Sequence, residues 1–333
     1  MKRVVIVGGG YAGVTLAKAL DEVFDVVLIE RKDRFYHNVG AMRAYADASL
    51  FPRLLIPYDR LLRRGRVVFD EAVSVATGFV RAESGASWEG DTIVVATGSR
   101  HVMPFKCDFR DSSLFLAEAE GMSARLAAAE SVAIVGDGPV AVELAGEVSW
   151  RYPRKRILLI GGAERLLASA GNPRLGERLL ATLRGRGVEV VLGKPVSGEG
   201  LGVDLVIRAY GAETTVPWLG ATGRVAVDGH FEVPGMPGVF AIGDAAESRE
   251  PPLTFLARRQ ARYLANYLKA GGMAAYRPVK RVAMAVPLGP EEGAVQLPLP
   301  GLPVFGGWLT SRLKGRDLFI RKNWAVFNRE AGS

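Results

Sequence analysis

Val4-Val5-Ile6-Val7-Gly8-Gly9-Gly10-Tyr11-Ala12-Gly13 stands almost at the start of the chain, and its reading decides the fold. Four β-branched residues in a row suit a strand buried on both faces. The glycines that follow, Gly8-x-Gly10-x-x-Gly13, end that strand and open a helix over Val14 to Leu20. Each glycine has its own physical use: the first allows a tight turn, the second lets a pyrophosphate approach the backbone, and the third lets helix and strand pack closely. Free N–H groups at the helix start, with the positive end of its dipole, would face the phosphates. A second apolar run, Val26 to Ile29, ends at Glu30, where a carboxylate can accept from ribose hydroxyls.

The same layout recurs later in the chain. Val132 to Val135 leads into Gly136-Asp137-Gly138-Pro139-Val140-Ala141, a helix near Val142 to Trp150, and the run Ile157 to Ile160. Two βαβ units imply two dinucleotides, and the economical pair is FAD in the first and NAD(P)H in the second. Hydride would then pass from nicotinamide C4 to flavin N5. The second unit's later strand ends at Gly161-Gly162, with no carboxylate in the place of Glu30 and with Arg165 a few residues on. That pattern predicts that NADPH is accepted as well as NADH. Further buried strands are expected at Thr92 to Ala96, Asp204 to Ile207 and Val239 to Ile242, and a helix over Thr254 to Lys269 that stops at Gly271-Gly272. Thr97 and Gly98 close the first of these strands and Asp244 closes the last, where it can bond a ribityl hydroxyl.

Composition narrows the classes. Of 333 residues 49% are hydrophobic and 23% charged, and the one cysteine, Cys107, excludes an intrachain disulfide framework or dithiol. The net charge of +8 suits an anionic partner. Apolar runs fall short of the ~18 to 20 residues of a membrane span, the N-terminal run is too short for a signal sequence, and Lys2 excludes myristoylation. The expectation is a cytoplasmic protein whose membrane contact, on the inner face, is peripheral. Arg312, Lys314, Arg316, Arg321, Lys322 and Arg329 face only Asp317 and Glu330, among Trp308, Leu309, Leu313, Leu318, Phe319, Ile320, Trp324 and Phe327. Such a segment suits an anionic membrane surface; the competing reading is a small domain with its aromatics packed inward.

The segments VVIVGGGYAG, IVVATGS, VAIVGDGPVAVE and FAIGDAA resemble, in order and spacing, the two-dinucleotide-binding-domain flavoproteins. FYHNVGAMRA (Phe35 to Ala44) and RDLFIRKNW (Arg316 to Trp324) are similar to the ferroptosis suppressor protein and type II NADH dehydrogenase branch of the apoptosis-inducing-factor-like group. The resemblance implies an α/β fold with two Rossmann-like domains and a small C-terminal domain. The FAD domain would be split over 1–105 and 226–272, with an NAD(P)H domain at 106–225 inserted and the last domain at 273–333. It implies flavin contacts from Gly8, Gly9, Gly10, Tyr11, Ala12, Gly13, Glu30, Lys32, Arg43, Val67, Thr97, Gly98 and Asp244. For NAD(P)H it implies Gly136, Gly138 and Glu143, to which the second unit's strand end adds Gly161 and Arg165. No metal is implied. Dithiol members of the family carry a Cys pair where this chain has His37 to Arg43 without a sulfur nucleophile, so electrons would leave the flavin directly for an acceptor, which in the related branch is a quinone. Ala245 stands where animal ferroptosis suppressors have Cys, and their N-terminal lipidation site is missing.

Three residues are candidates at the acceptor. Lys314 would polarise a quinone carbonyl. His37 would relay a proton, or else be a histidine satisfied by neighbouring backbone groups. Phe319 would line the same pocket, or else be an ordinary core aromatic. The function expected is NAD(P)H:quinone oxidoreduction through FAD. The alternatives are reduction of a protein carrier such as ferredoxin, and an apoptosis-inducing-factor-like flavoprotein that signals or binds nucleic acid. Nucleic acid is the less favoured partner, and a homodimer is left open.

Overall fold

Two parallel sheets organise the chain, and both grow from the β-branched runs. The computed structural model describes residues 1–168, 172–194, 200–211, 213–214, 216–219, 223–299 and 301–331, which include every candidate site residue. In the first sheet the strand Arg3–Val7 lies between Thr92–Val95 and Asp25–Glu30. Val239–Ala241 flanks one side and Arg66–Phe69 the other, all parallel. Val4, Val5 and Ile6 are fully buried, as a central parallel strand covered on both faces requires. The second sheet has the order Glu189–Val191, Arg156–Ile160, Ser131–Val135, Leu205–Arg208, again all parallel.

The two glycine units are geometric copies. Gly8 N–H donates to Ile29 O at 2.8 Å, and Gly136 N–H to Ile160 O at 2.7 Å. Ala96 N–H donates to Val7 O at 2.7 Å, and Ala209 N–H to Val135 O at 2.8 Å. Having built the second sheet, the chain returns to the first with Val239–Ala241, so the second unit is inserted in sequence. Tyr11–Leu20 crosses from strand to strand in the first unit and packs against Thr254–Ala270. Pro139–Arg151 does the same service in the second.

The last segment folds as Gly307–Thr310, a π-helical turn Ser311–Gly315, and a helix Ile320–Val326. Its apolar residues divide between two faces. Leu318, Ile320, Trp324 and Phe327 are buried, whereas Trp308 is 76% exposed and Leu313 and Phe319 also face outward. Trp324 Nε1 donates to Arg53 O at 2.9 Å, and Lys18 donates to the Val326 carbonyl, so the terminal helix is anchored to the first sheet's side of the molecule. Among the described residues no helix is long and apolar enough to cross a membrane.

Candidate functional site

The glycines of the first turn sort into those the fold needs and one it does not. A Cβ on Gly13 would stand 1.9 Å from Gly8 O, and one on Gly8, at φ +103°, would stand 2.6 Å from Ala96 O. Packing alone therefore accounts for both. Gly10 differs: its φ of −75° is open to any residue, and a Cβ there would meet nothing within 4 Å. Gly138 repeats this in the second unit, with φ −80° and open space around it. Nothing inside the chain explains these two glycines, whereas a phosphate pressed against the backbone does.

Helix capping gives the same answer. Among the described residues five helices have ten residues or more. Two are capped by side chains, Ser112–Ala128 by Asp111 and Pro173–Gly185 by Asn172. Tyr11–Leu20, Pro139–Arg151 and Thr254–Ala270 have no side-chain cap. An uncapped start leaves N–H donors for an anion. These three are the helices that follow the two glycine turns and the Asp244 strand end.

Around the first turn the predicted residues converge. Gly9 N–H donates to Glu30 Oε2 at 2.5 Å, while Lys32 Nζ lies 2.9 Å from Oε1. Burial alone would raise the Glu30 carboxyl; the Lys32 charge and the two N–H donors outweigh it and hold it below the usual carboxylate range. A Cβ on Gly243 would touch Ala12 Cβ at 3.2 Å, which sets Asp244 beside the first helix. Asp244 accepts from Ser99 Oγ at 2.6 Å, just past Thr97 and Gly98, and Lys106 Nζ lies 3.4 Å away. Val67 lies on the outer strand, lining a cavity of about 560 Å³ with Tyr58, Phe69 and Arg329. Arg43 is taken up by Glu147 and by the carbonyl of Gly315.

In the second unit the structure supplies a carboxylate that the strand end lacks. Asp137, inside the glycine turn, packs its side chain so close to Gly161 that a Cβ on Gly161 would stand 2.6 Å from Asp137 Cβ. Asp137 Oδ2 accepts from Ala163 N–H at 3.0 Å. The strand end itself carries no acid, as the sequence indicates, but the Asp137 side chain lies beside it. Arg165 donates to Ala168 O at 3.1 Å.

The fold, the paired glycine turns and the uncapped helices fit one class of enzyme, and a family model described as pyridine nucleotide-disulphide oxidoreductase matches residues 2–261. The chain belongs to that family. Apoptosis-inducing factor homolog B of Dictyostelium discoideum is 28% identical over 98% of this chain and 97% of its own length. Human ferroptosis suppressor protein 1 is 28% identical over 97% of this chain and 95% of its own. Among solved structures, the sulfide:quinone oxidoreductase of Aquifex aeolicus has a TM-score of 0.76 at 17% identity and covers all of this chain and 93% of its own.

Although the family is named for a disulphide, this chain has a single cysteine, Cys107. Burial pushes the Cys107 thiol up to about 11, leaving little thiolate at neutral pH. His37 to Arg43 contains no cysteine, and there the structure gathers polar side chains. His37 is buried, with Nδ1 at 2.8 Å from Tyr11 Oη and Nε2 at 2.7 Å from Leu318 O. Desolvation, with Arg258 and Lys314 acting in the same direction, lowers its pKa to about 4, which selects a neutral, backbone-satisfied ring.

Lys314 is not the free cation that the sequence suggests. Its Nζ is 2.5 Å from Glu143 Oε1, and both side chains are largely buried. Burial raises the Glu143 carboxyl despite the opposing Lys314 charge. One helical turn on, Glu147 holds Arg43 Nη2 at 2.8 Å and Nε at 3.0 Å. Two carboxylates on one face of the helix Pro139–Arg151 thus receive cations from two different segments. Phe319 is 38% exposed, so the core-aromatic alternative falls. Sequence reasoning missed Asp137, Glu147, Asn323, and Tyr58, whose hydroxyl donates to Gly9 O at 2.8 Å. Of these only Glu147 carried a signal, its i+4 spacing from Glu143.

Proposed function

We propose that this enzyme moves two electrons from NAD(P)H, through FAD, to a quinone. The carrying observation is the buried Glu143–Lys314 pair, which joins the helix of the second glycine unit to the outward-facing C-terminal turn. On this reading the first sheet belongs to the FAD domain and the second to the NAD(P)H domain, with the last segment on the acceptor side.

FAD, when bound, supplies the two-electron relay between a hydride donor and an acceptor. Gly10 to Gly13 and the uncapped start of Tyr11–Leu20 bind its pyrophosphate, Glu30 orients its ribose, and Asp244 with Thr97 and Gly98 borders its ribityl chain. Gly138 and the start of Pro139–Arg151 do the corresponding work for NAD(P)H. A quinone that gains a hydride equivalent needs one more proton to become a quinol. Lys314 Nζ holds that proton beside Glu143; burial raises the Glu143 carboxyl, which favours return of a proton to the pair. The pair stays close to neutral as a whole, so the buried proton store does not require an isolated charge.

Asp137 beside Gly161 supports a preference for NADH, because a 2′-phosphate at that strand end would meet a carboxylate. Exposed Trp308, Leu313 and Phe319, together with exposed Arg312, Arg316, Arg321 and Lys322, favour peripheral contact with an anionic lipid surface, where quinones reside. The same charges suit an acidic protein carrier, which is the second reading. Anaerobic flavin reduction by NADH and by NADPH, followed by reoxidation with quinone, ferredoxin and oxygen in parallel, tests the assignment. Fast reoxidation by quinone is expected; reoxidation by ferredoxin alone would replace the quinone reading with the carrier one.

A further inference from the structure

His37 and Arg43 lie six positions apart, at the two ends of the cysteine-free stretch His37 to Arg43. Both reach into the same C-terminal turn. Arg43 Nη1 donates to Gly315 O at 2.5 Å while its other nitrogens hold Glu147. His37 Nε2 meets Leu318 O at 2.7 Å, and because a carbonyl only accepts, Nε2 must carry the hydrogen. Nδ1 is then the acceptor, and Tyr11 Oη donates to it.

The turn they hold is strained. Leu318 at φ 50° and Phe319 at φ 62° are consecutive non-glycine residues in the left-handed region. L residues avoid this region, and such conformations persist only where surrounding contacts fix them. The fixing contacts are visible. Leu318 N–H closes onto Lys314 O at 2.8 Å, and Asn323 Nδ2 donates to Phe319 O at 2.8 Å. Arg258 in turn donates to Asn323 Oδ1 and sits over the Tyr11 ring. The outcome is a rigid turn with Lys314 directed onto Glu143 and Phe319 facing outward.

We propose that His37 and Arg43 are positioning residues, a two-point clamp on the carbonyls of Leu318 and Gly315 that fixes Lys314 and Phe319 for the acceptor. The cysteine-free stretch would thus carry no electrons and no protons; it would hold the element that meets the acceptor. The proposal rests on the quinone reading above.

The test separates clamping from proton relay by comparing two amides in the holoenzyme. In His37→Gln the amide nitrogen falls near the position of Nε2 and still donates to Leu318 O; in His37→Asn the shorter amide cannot reach it. Neither can relay a proton. The clamp predicts that His37→Asn lowers kcat with quinone by about 10- to 100-fold while NADH reduces the flavin at the wild-type rate, and that His37→Gln restores most of the loss. It also predicts faster hydrogen exchange at the amides of Leu318 to Ile320 in His37→Asn than in His37→Gln. Equal losses in both variants with equal exchange would overturn the clamp, as would no loss in either. Should His37→Asn fail to retain flavin, Arg43→Lys tests the other arm. Its ammonium keeps the Glu147 pair but releases Gly315, so quinone turnover must fall and flavin reduction must not. Wild-type enzyme that NADH reduces but quinone does not reoxidise would overturn the quinone reading instead, and the exchange comparison would still decide whether the clamp exists.

Discussion

Gly10→Ala is the sharpest available test of whether the first turn is built for a ligand or merely for a tight bend. The added Cβ meets no protein atom within 4 Å, and φ −75° with ψ −167° is ordinary extended backbone for alanine. Folding of the flavin-free chain should therefore be undisturbed. Gly→Ala at a compatible conformation stabilises by about 0.4 to 1 kcal/mol, because alanine loses less freedom on folding. Flavin affinity should move the other way. A methyl group in the path of the pyrophosphate displaces it from the N–H donors of an uncapped helix start. Loss of one charge-assisted hydrogen bond costs about 1.5 to 3 kcal/mol, and about 1.4 kcal/mol is tenfold in Kd, so the Kd for FAD should rise about 10- to 100-fold. Urea unfolding of flavin-free protein and quenching of flavin fluorescence on titration measure the two quantities separately. Gly13→Ala supplies the contrast: with a Cβ 1.9 Å from Gly8 O, it must lose folding stability as well. If Gly10→Ala bound FAD as tightly as wild type, the cradle argument would fail.

Three further outcomes are expected. Lys314→Ala leaves Glu143 buried without its cation, which costs about 3 to 5 kcal/mol for a buried pair broken on one side; Lys314→Met with Glu143→Leu should regain stability in urea unfolding without regaining quinone turnover. For His37, the folded ring stays neutral down to about pH 4 while the unfolded chain takes a proton near the ordinary value of 6.5. The unfolded state binds more protons in that window, so stability present above pH 6.5 is lost as pH falls to about 4, by up to about 3 kcal/mol. His37→Gln should flatten that part of a urea-midpoint profile, and an unchanged slope would contradict the neutral, buried ring. Asp137→Asn should raise kcat/KM for NADPH relative to NADH by about 10-fold, the scale of one like charge removed near a partly solvated site; no change in the ratio would remove Asp137 from coenzyme selection.

Runs such as Val4 to Val7 and Val132 to Val135 made the sheets legible, because a short, nearly all β-branched apolar run buried on both faces has few other uses. Glycine turns made the βαβ units legible, because each glycine answers a local geometric need. Side-chain commitments were another matter. Arg43 pairs with residues 104 and 272 positions away, and no local pattern foretells which of several carboxylates a long guanidinium will take. Asp137 was hidden for a different reason: its carboxylate occupies space that exists only because Gly161 has no Cβ. For Phe319 the sequence leaves open a pocket-lining residue or a core aromatic. Its exposure depends on two left-handed residues that propensity alone would never select.

The charge pattern takes on a different meaning once partners are assigned. Lys32 with Glu30, Arg43 with Glu147, Lys106 with Asp244 and Lys314 with Glu143 are four cation–carboxylate pairs, each at a strand end or joining segments distant in sequence. In three of them the carboxylate, Glu30, Glu147 or Glu143, is more deeply buried than an isolated charge could be without strong penalty, and Asp244 is partly buried. Buried pairs of this kind add little net stability against apolar replacements, but they penalise every arrangement in which one member is left alone. They therefore fix which segment docks on which. Lys314 belongs to this interior set and leaves the surface tally, so the positive charge that an acceptor or a lipid headgroup would feel comes from residues such as Arg312, Arg316, Arg321 and Lys322, all exposed. On the quinone reading proposed above, recognition of the acceptor's surroundings and protonation of the acceptor would fall to different residues of one segment: the exposed cations would gather it, and Lys314, buried against Glu143, would serve the reaction.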